Sequence, residues 1–105
     1  MHTVVETAKY LRAAADIGMT ESERLEAVNL VADNPVAGDL IVGSGGCRKV
    51  RLAGKGEGKS GGYRLITLRV ADDRVFLLMV YAKGRKVSLS DAEKMKLRRA
   101  AGPLS

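Results

Sequence analysis

The apolar positions of this chain change their period near its middle. From about Glu6 to Asp16, the positions Ala8, Tyr10, Leu11 and Ala15 suit one face of a helix, which Gly18 ends. Val4 and Val5, just before it, are enough for a short strand or for the entry to that helix. Thr20-Glu21-Ser22-Glu23 has the form of a capping box, in which Thr20 accepts from the amide of Glu23 and Glu23 reaches back. The helix it opens is expected to bury Leu25, Val28, Leu30, Val31 and Ala32. It should stop before Asn34-Pro35, because a proline disfavours helical backbone in the residue ahead of it. Two antiparallel helices joined by a short turn result.

Beyond Gly38 the pattern turns strand-like. Gly43, Gly45 and Gly46 break the chain ahead of residues 47–53, where alternation predicts a half-exposed strand. A glycine- and lysine-rich loop over 54–62 leads to a second strand over 63–70. Asp72-Asp73 turns the chain, and 75–81 is a near-continuous apolar run expected in the middle of a sheet. Ser90-Asp91-Ala92-Glu93 forms a second capping box, opening a helix with Met95 and Leu97 inward that ends at Gly102-Pro103. The order helix, helix, strand, strand, strand, helix predicts an α+β fold. In it an N-terminal helical hairpin packs on a small antiparallel sheet, with a short C-terminal helix. At 105 residues the chain is expected to be one domain, 1–105, since a second core would have too little chain to build it.

Charge sharpens this picture. Residues 1–46 carry 3 basic and 7 acidic side chains, residues 47–105 carry 15 and 5, so the halves are −4 and +10. Such one-sidedness makes a field that attracts polyanions, nucleic acid first among them. Aromatics make up only 4% of the chain, which argues against a broad platform for stacking bases. The single Cys47 excludes an internal disulfide framework and fits a reducing compartment. The start MHTVVETAKYLR lacks the apolar run of a signal peptide, and no segment is apolar enough to span a bilayer, so a cytoplasmic protein with no membrane partner is expected.

Three constellations fail on chemistry. Residues 53–60, Ala-Gly-Lys-Gly-Glu-Gly-Lys-Ser, fit a relaxed phosphate-loop pattern, but Gly61-Gly62 and a strand follow where a helix N-terminus is needed. His2 is the only histidine, which rules out a histidine acid–base pair, and one Cys with one His cannot make a zinc site of the usual kind. No metal and no cofactor are therefore expected. What remains is cationic: Arg48, Lys49, Arg51, Arg64, Lys83 and Arg85 lie on three consecutive strands or at their ends, with Glu57 the only acid between Gly43 and Val70. Neighbouring strands are under ~5 Å apart, so such residues can converge on one phosphate-binding patch. Lys55 and Lys59 could close over an RNA backbone from the glycine-rich loop.

Three stretches, Gly43-Ser44-Gly45-Gly46-Cys47-Arg48-Lys49-Val50-Arg51, Gly58-Lys59-Ser60-Gly61-Gly62-Tyr63-Arg64 and Tyr81-Ala82-Lys83, resemble the RelE/ParE toxin superfamily, and within it the HigB branch of RelE-like toxins. The similarity runs from about Asn34-Pro35 to Leu89-Ser90; the helical hairpin matches in pattern only. The resemblance implies a ribosome-dependent messenger-RNA endonuclease, with messenger RNA and the ribosome as partners, held inactive by a cognate antitoxin of the helix-turn-helix type. It also implies catalytic roles for Lys49 and Arg51 on one strand, Arg64 on the next, and Lys83 and Arg85 after the third. Arg48, Lys55, Lys59, Tyr63 and Tyr81 are the accompanying RNA-binding candidates. RelE itself uses a tyrosine in its C-terminal segment; Ser88-Leu89-Ser90 offers none here, leaving Tyr81 or Tyr63 as substitutes or the step without a counterpart.

The chemistry that fits needs neither histidine nor metal. A ribose 2′-hydroxyl loses its proton and attacks its own 3′-phosphate through a phosphorane of increased charge, which arginines such as Arg64 and Arg85 can hold bidentately. A cationic neighbourhood disfavours one more positive charge, which makes Lys49 the first candidate for general base and Lys83 the second. Arg51, Lys83 and Tyr81 are all candidates to protonate the leaving 5′-oxygen. Two other classes remain open: a ParE-like inhibitor of DNA gyrase, and a non-catalytic RNA- or ribosome-binding module.

Overall fold

A computed structural model describes residues 3–53, 62–70, 73–82 and 90–102. In chain order the elements are β1 (Thr3–Glu6), α1 (Ala8–Asp16), α2 (Glu21–Asp33), β2 (Asp39–Leu40), β3 (Arg48–Leu52), β4 (Tyr63–Val70), β5 (Arg74–Ala82) and α3 (Asp91–Ala101). The class is α+β, as expected, but the sheet is larger than a three-stranded meander and is mixed. Its order is β1-β5-β4-β3-β2, with β1 parallel to β5 and the remaining pairs antiparallel. Val4 and Val5 thus belong to an edge strand, tied at its start by Thr3 N donating to Asp73 O at 2.7 Å. Its partner is a distant segment, so local pattern alone did not separate this strand from a helix entry.

Both capping boxes form. Thr20 Oγ1 accepts from Glu23 N at 3.1 Å while Thr20 N donates to Glu23 Oε1 at 2.9 Å; Ser90 and Glu93 repeat the arrangement at 3.2 and 2.8 Å. The helix limits follow the sequence, but the buried faces are rotated from those expected. Thr7 caps α1, its hydroxyl donating to Leu77 O at 2.8 Å and accepting from Tyr10 N, and this docks α1 on β5 with Tyr10, Ala13 and Ala14 inward. Ala8, Leu11 and Ala15 face out instead. On α2 the buried residues are Glu23, Ala27 and Val31; Leu25 is 60% exposed, and Val28, Leu30 and Ala32 are half-buried. On α3 Leu97 turns inward but Met95 is 51% exposed.

Two cores result, one on each face of the sheet. Under α1 and α2 lie Val50, Leu52, Leu65, Val75, Leu77 and Val80, with Tyr10, Ala14 and Val31 from the helices. The opposite face gathers Cys47, Ile66, Leu68, Val70 and Leu78, with Leu97 of α3 packed against them. A β-bulge separates the two runs of β5: Ile66 pairs with Met79 and Thr67 with Leu77, leaving Leu78 as the extra residue. The bulge reverses the alternation of β5 at that point. Residues 75–81 read as continuously apolar because both faces of β5 are covered, Val75, Leu77 and Val80 on one and Phe76, Leu78 and Tyr81 on the other. No helix among the described residues is long and apolar enough to cross a membrane.

Candidate nucleic-acid interface

The antiparallel register decides which cations meet. Side chains of paired residues share a face, and successive residues alternate between faces. Val50 and Leu52 face the N-terminal helices, so Lys49 and Arg51 of β3 point to the other side. Arg51 pairs with Arg64 of β4, Arg64 pairs with Tyr81 of β5, and Lys49 pairs with Ile66 one row away. Arg51, Arg64 and Tyr81 therefore form a row across three adjacent strands, with Lys49 one step along β3. Arg51 is exposed; Lys49, Arg64 and Tyr81 are half-buried. The β5 bulge is what gives Tyr81 this side, since uninterrupted alternation from Leu77 would turn it under the helices.

The electrostatics of the row are unusual for a purely structural surface. Directly opposed like charges destabilise a strand pair, by roughly 0.2–1 kcal/mol. Yet Arg51 faces Arg64, and among the described residues no carboxylate forms an ion pair with Lys49, Arg51 or Arg64. Arg24 and Glu6 form an ion pair at 3.2 Å, but it lies by the N-terminal helices. Asp39 is the cross-strand neighbour of Lys49 on β2 but makes no ion pair with it. The sequence pattern gave no sign of Asp39 because β2 is only two residues long.

Not every cation or tyrosine singled out by sequence joins the row. Tyr63 points under the helices, where its hydroxyl donates to Glu23 Oε1 at 2.9 Å, and burial together with that carboxylate pushes its pKa up. A role in RNA binding through that hydroxyl is not supported, because the group is already committed to the α2 cap. Arg48 alternates to the same side as Val50 and donates from Nη1 to Gly38 O at 3.1 Å, bracing the β2–β3 connection. Lys55 and Lys59, and likewise Lys83 and Arg85, lie outside the described residues. The chain leaves β3 and re-enters β4 beside the Arg51–Arg64 pair, and it leaves β5 at Ala82, one residue past Tyr81. Strand β4 begins three residues after Ser60, so a strand and not a helix follows the glycine-rich stretch.

Cys47 is fully buried, its thiol pKa raised by burial, and its backbone N–H donates to Ser44 Oγ at 3.0 Å. It packs as a small apolar residue.

A row of cations without acidic ion-pair partners among the described residues, with a tyrosine at its end and raised on a helix-backed mixed sheet, has the chemistry to hold a phosphodiester. Comparison with protein families matches residues 2–105 to the family described as the RelE toxin of the RelE/RelB toxin–antitoxin system. The match covers essentially the whole chain, and the protein belongs to the RelE toxin family.

Proposed function

We propose that this toxin is a metal-independent endoribonuclease of the HigB-like kind, cutting messenger RNA on the ribosome and restrained by an antitoxin with a helix-turn-helix segment. The observation that carries the reading is the Arg51–Arg64–Tyr81 row with Lys49 beside it, cationic, solvent-facing and without acidic ion-pair partners among the described residues for its cations. Lys49 takes the proton of the ribose 2′-hydroxyl. The 2′-oxygen bonds to the adjacent phosphorus and the bond to the 5′-oxygen breaks, leaving a cyclic phosphate and a 5′-hydroxyl. Arg51 and Arg64 gain most when the phosphorane carries its extra charge, so they stabilise the transition state more than the bound message. Tyr81, at the end of the row, protonates the leaving oxygen; Lys83 and Arg85 complete the set from the segment after β5. Because the attacking group is the 2′-hydroxyl, DNA is not a substrate.

The antitoxin presents an acidic segment, since covering the +10 half with neutral surface leaves charge unpaired. Mapping message ends after brief induction tests the reading. Translated messages should be cut in cells making the wild-type chain, and Arg64→Ala should lower cutting by about a hundredfold or more, the loss typical for one preorganised charge-stabilising donor. Arrested growth with intact messages overturns it, and a supercoiling assay then asks whether gyrase is the target.

A further inference from the structure

We propose a second RNA-backbone subsite at Lys94 and Arg98 of α3, where these side chains lie across the glycine turn that precedes β3. The proposal rests on the ribonuclease reading and extends it to a strand path: single-stranded RNA runs along β3, its cut phosphodiester at Arg51–Arg64 and a flanking phosphate at the turn.

The turn is a built, fixed element. Gly43, Gly45 and Gly46 all have φ between 81° and 104°, the left-handed region. The hydroxyl of fully buried Ser44 donates to Ile41 O at 2.6 Å and accepts from Cys47 N at 3.0 Å, while Ile41 N donates to Cys47 O at 2.9 Å. Helix α3 sits directly on it. A Cβ at Gly45 would stand 3.3 Å from Arg98 Cγ and 3.5 Å from Arg98 Cα, and one at Gly43 would stand 3.8 Å from Lys94 Cδ. The missing side chains let both aliphatic stems lie against backbone, which fixes where the two charged ends emerge.

Position and charge connect this site to the row. Cys47, Lys49 and Arg51 share one face of the strand that leaves the turn, and successive same-face residues are about 7 Å apart along it. Leu97, between Lys94 and Arg98, packs on that same face. Past buried Cys47, cations thus stand at Lys49 and Arg51 between the turn and Arg64. Among the described residues neither Lys94 nor Arg98 has an acidic ion-pair partner, and Glu93, next to Lys94 in sequence, accepts from Ser90 N at 2.8 Å. Lys96 and Arg99 are exposed and are turned away from Lys94 around α3, by about 160° and about 140°. They serve as an internal control of equal charge.

The probe is a short single-stranded RNA with 2′-O-methyl riboses throughout, which cannot be cut, so binding is read apart from cleavage. With Lys94→Ala and Arg98→Ala together, affinity should fall by about tenfold. The slope of log K against log salt should become shallower by about 1.4, two single-strand phosphate contacts at roughly 0.7 each. The exchange Lys94→Arg with Arg98→Lys should restore both, which a loss through misfolding would not. Lys96→Ala with Arg99→Ala should leave the slope unchanged. An unchanged slope in the first variant, or an equal loss in the control pair, overturns the subsite. If Arg64→Ala still abolishes message cutting in cells, the ribonuclease reading stands without it. Competition by an acidic peptide, with no dependence of RNA binding on Lys94 and Arg98, assigns the turn to a protein partner and also overturns the proposal.

Discussion

Tyr10 is the largest fully buried side chain, and among the described residues its hydroxyl has no hydrogen-bond partner. Burial first, and then the nearby Glu6 carboxylate, push its pKa up to about 12. A raised acid pKa favours the folded state while the phenol stays neutral. That contribution is intact below pH 10 and is lost as pH climbs from 10 towards 12; Tyr63 and Cys47, both shifted upward, add in the same direction. Tyr10→Phe keeps the ring and removes the unpaired hydroxyl, whose burial costs about 1–3 kcal/mol. Chemical denaturation should show the variant at least as stable as wild type at neutral pH, with a smaller alkaline decline. Arg51 makes a different point about single side chains. Replacing it with threonine removes the opposition to Arg64 and supplies a good strand former, so Arg51→Thr should hold or raise stability by up to about 1 kcal/mol while lowering message cutting. A gain in stability with loss of activity, read by melting and by message-end mapping, marks a residue kept for chemistry.

Among the elements, the β2–β3 connection is the most sensitive to backbone geometry. Gly38 has φ 85°, and a Cβ there would stand 2.2 Å from the Lys49 carbonyl oxygen, a backbone atom that cannot step aside. Gly38→Ala should cost about 2 kcal/mol or more, combining a left-handed residue with a clash, and should disturb Lys49 from behind. Melting curves and message cutting should fall together. The elements also show what sequence pattern can and cannot supply. The limits of β4, the two capping boxes and the stop before Pro35 were legible because each is set within a few residues. The faces of α1 and α2 were not, because Thr7 bonding to Leu77 and Tyr63 bonding to Glu23 set them across the chain. The bulge at Leu78 escaped for the same reason: period alone cannot reveal one extra residue in a strand apolar on both faces. Of the candidate site, the alternation that pairs Lys49 with Arg51 was visible, whereas the register that sets Arg51 against Arg64 and Tyr81 is a property of the assembled sheet.

At the scale of the whole molecule, charge and architecture are aligned. The acidic half supplies α1 and α2 on one face of the sheet, and the basic half supplies Lys49, Arg51, Arg64 and α3 on the other. A polyanion is drawn to one side and repelled from the other, so encounters are oriented before contact. Binding to the uncleavable RNA should weaken linearly on a log–log plot against salt, and Glu21→Gln, on the helical side, should leave that slope unchanged, a comparison direct titration makes.

The parallel pairing of β1 has a consequence for how such a toxin folds. Thr3 finds its place only opposite Arg74, so β1 waits for about seventy later residues before its ladder can close. Pairings of such long sequence separation close late and slowly. The cationic row also spans β3 to β5, so a half-made chain emerging from the ribosome has no assembled site. Assembly of the Arg51–Arg64–Tyr81 row is thereby postponed until β5 has been made.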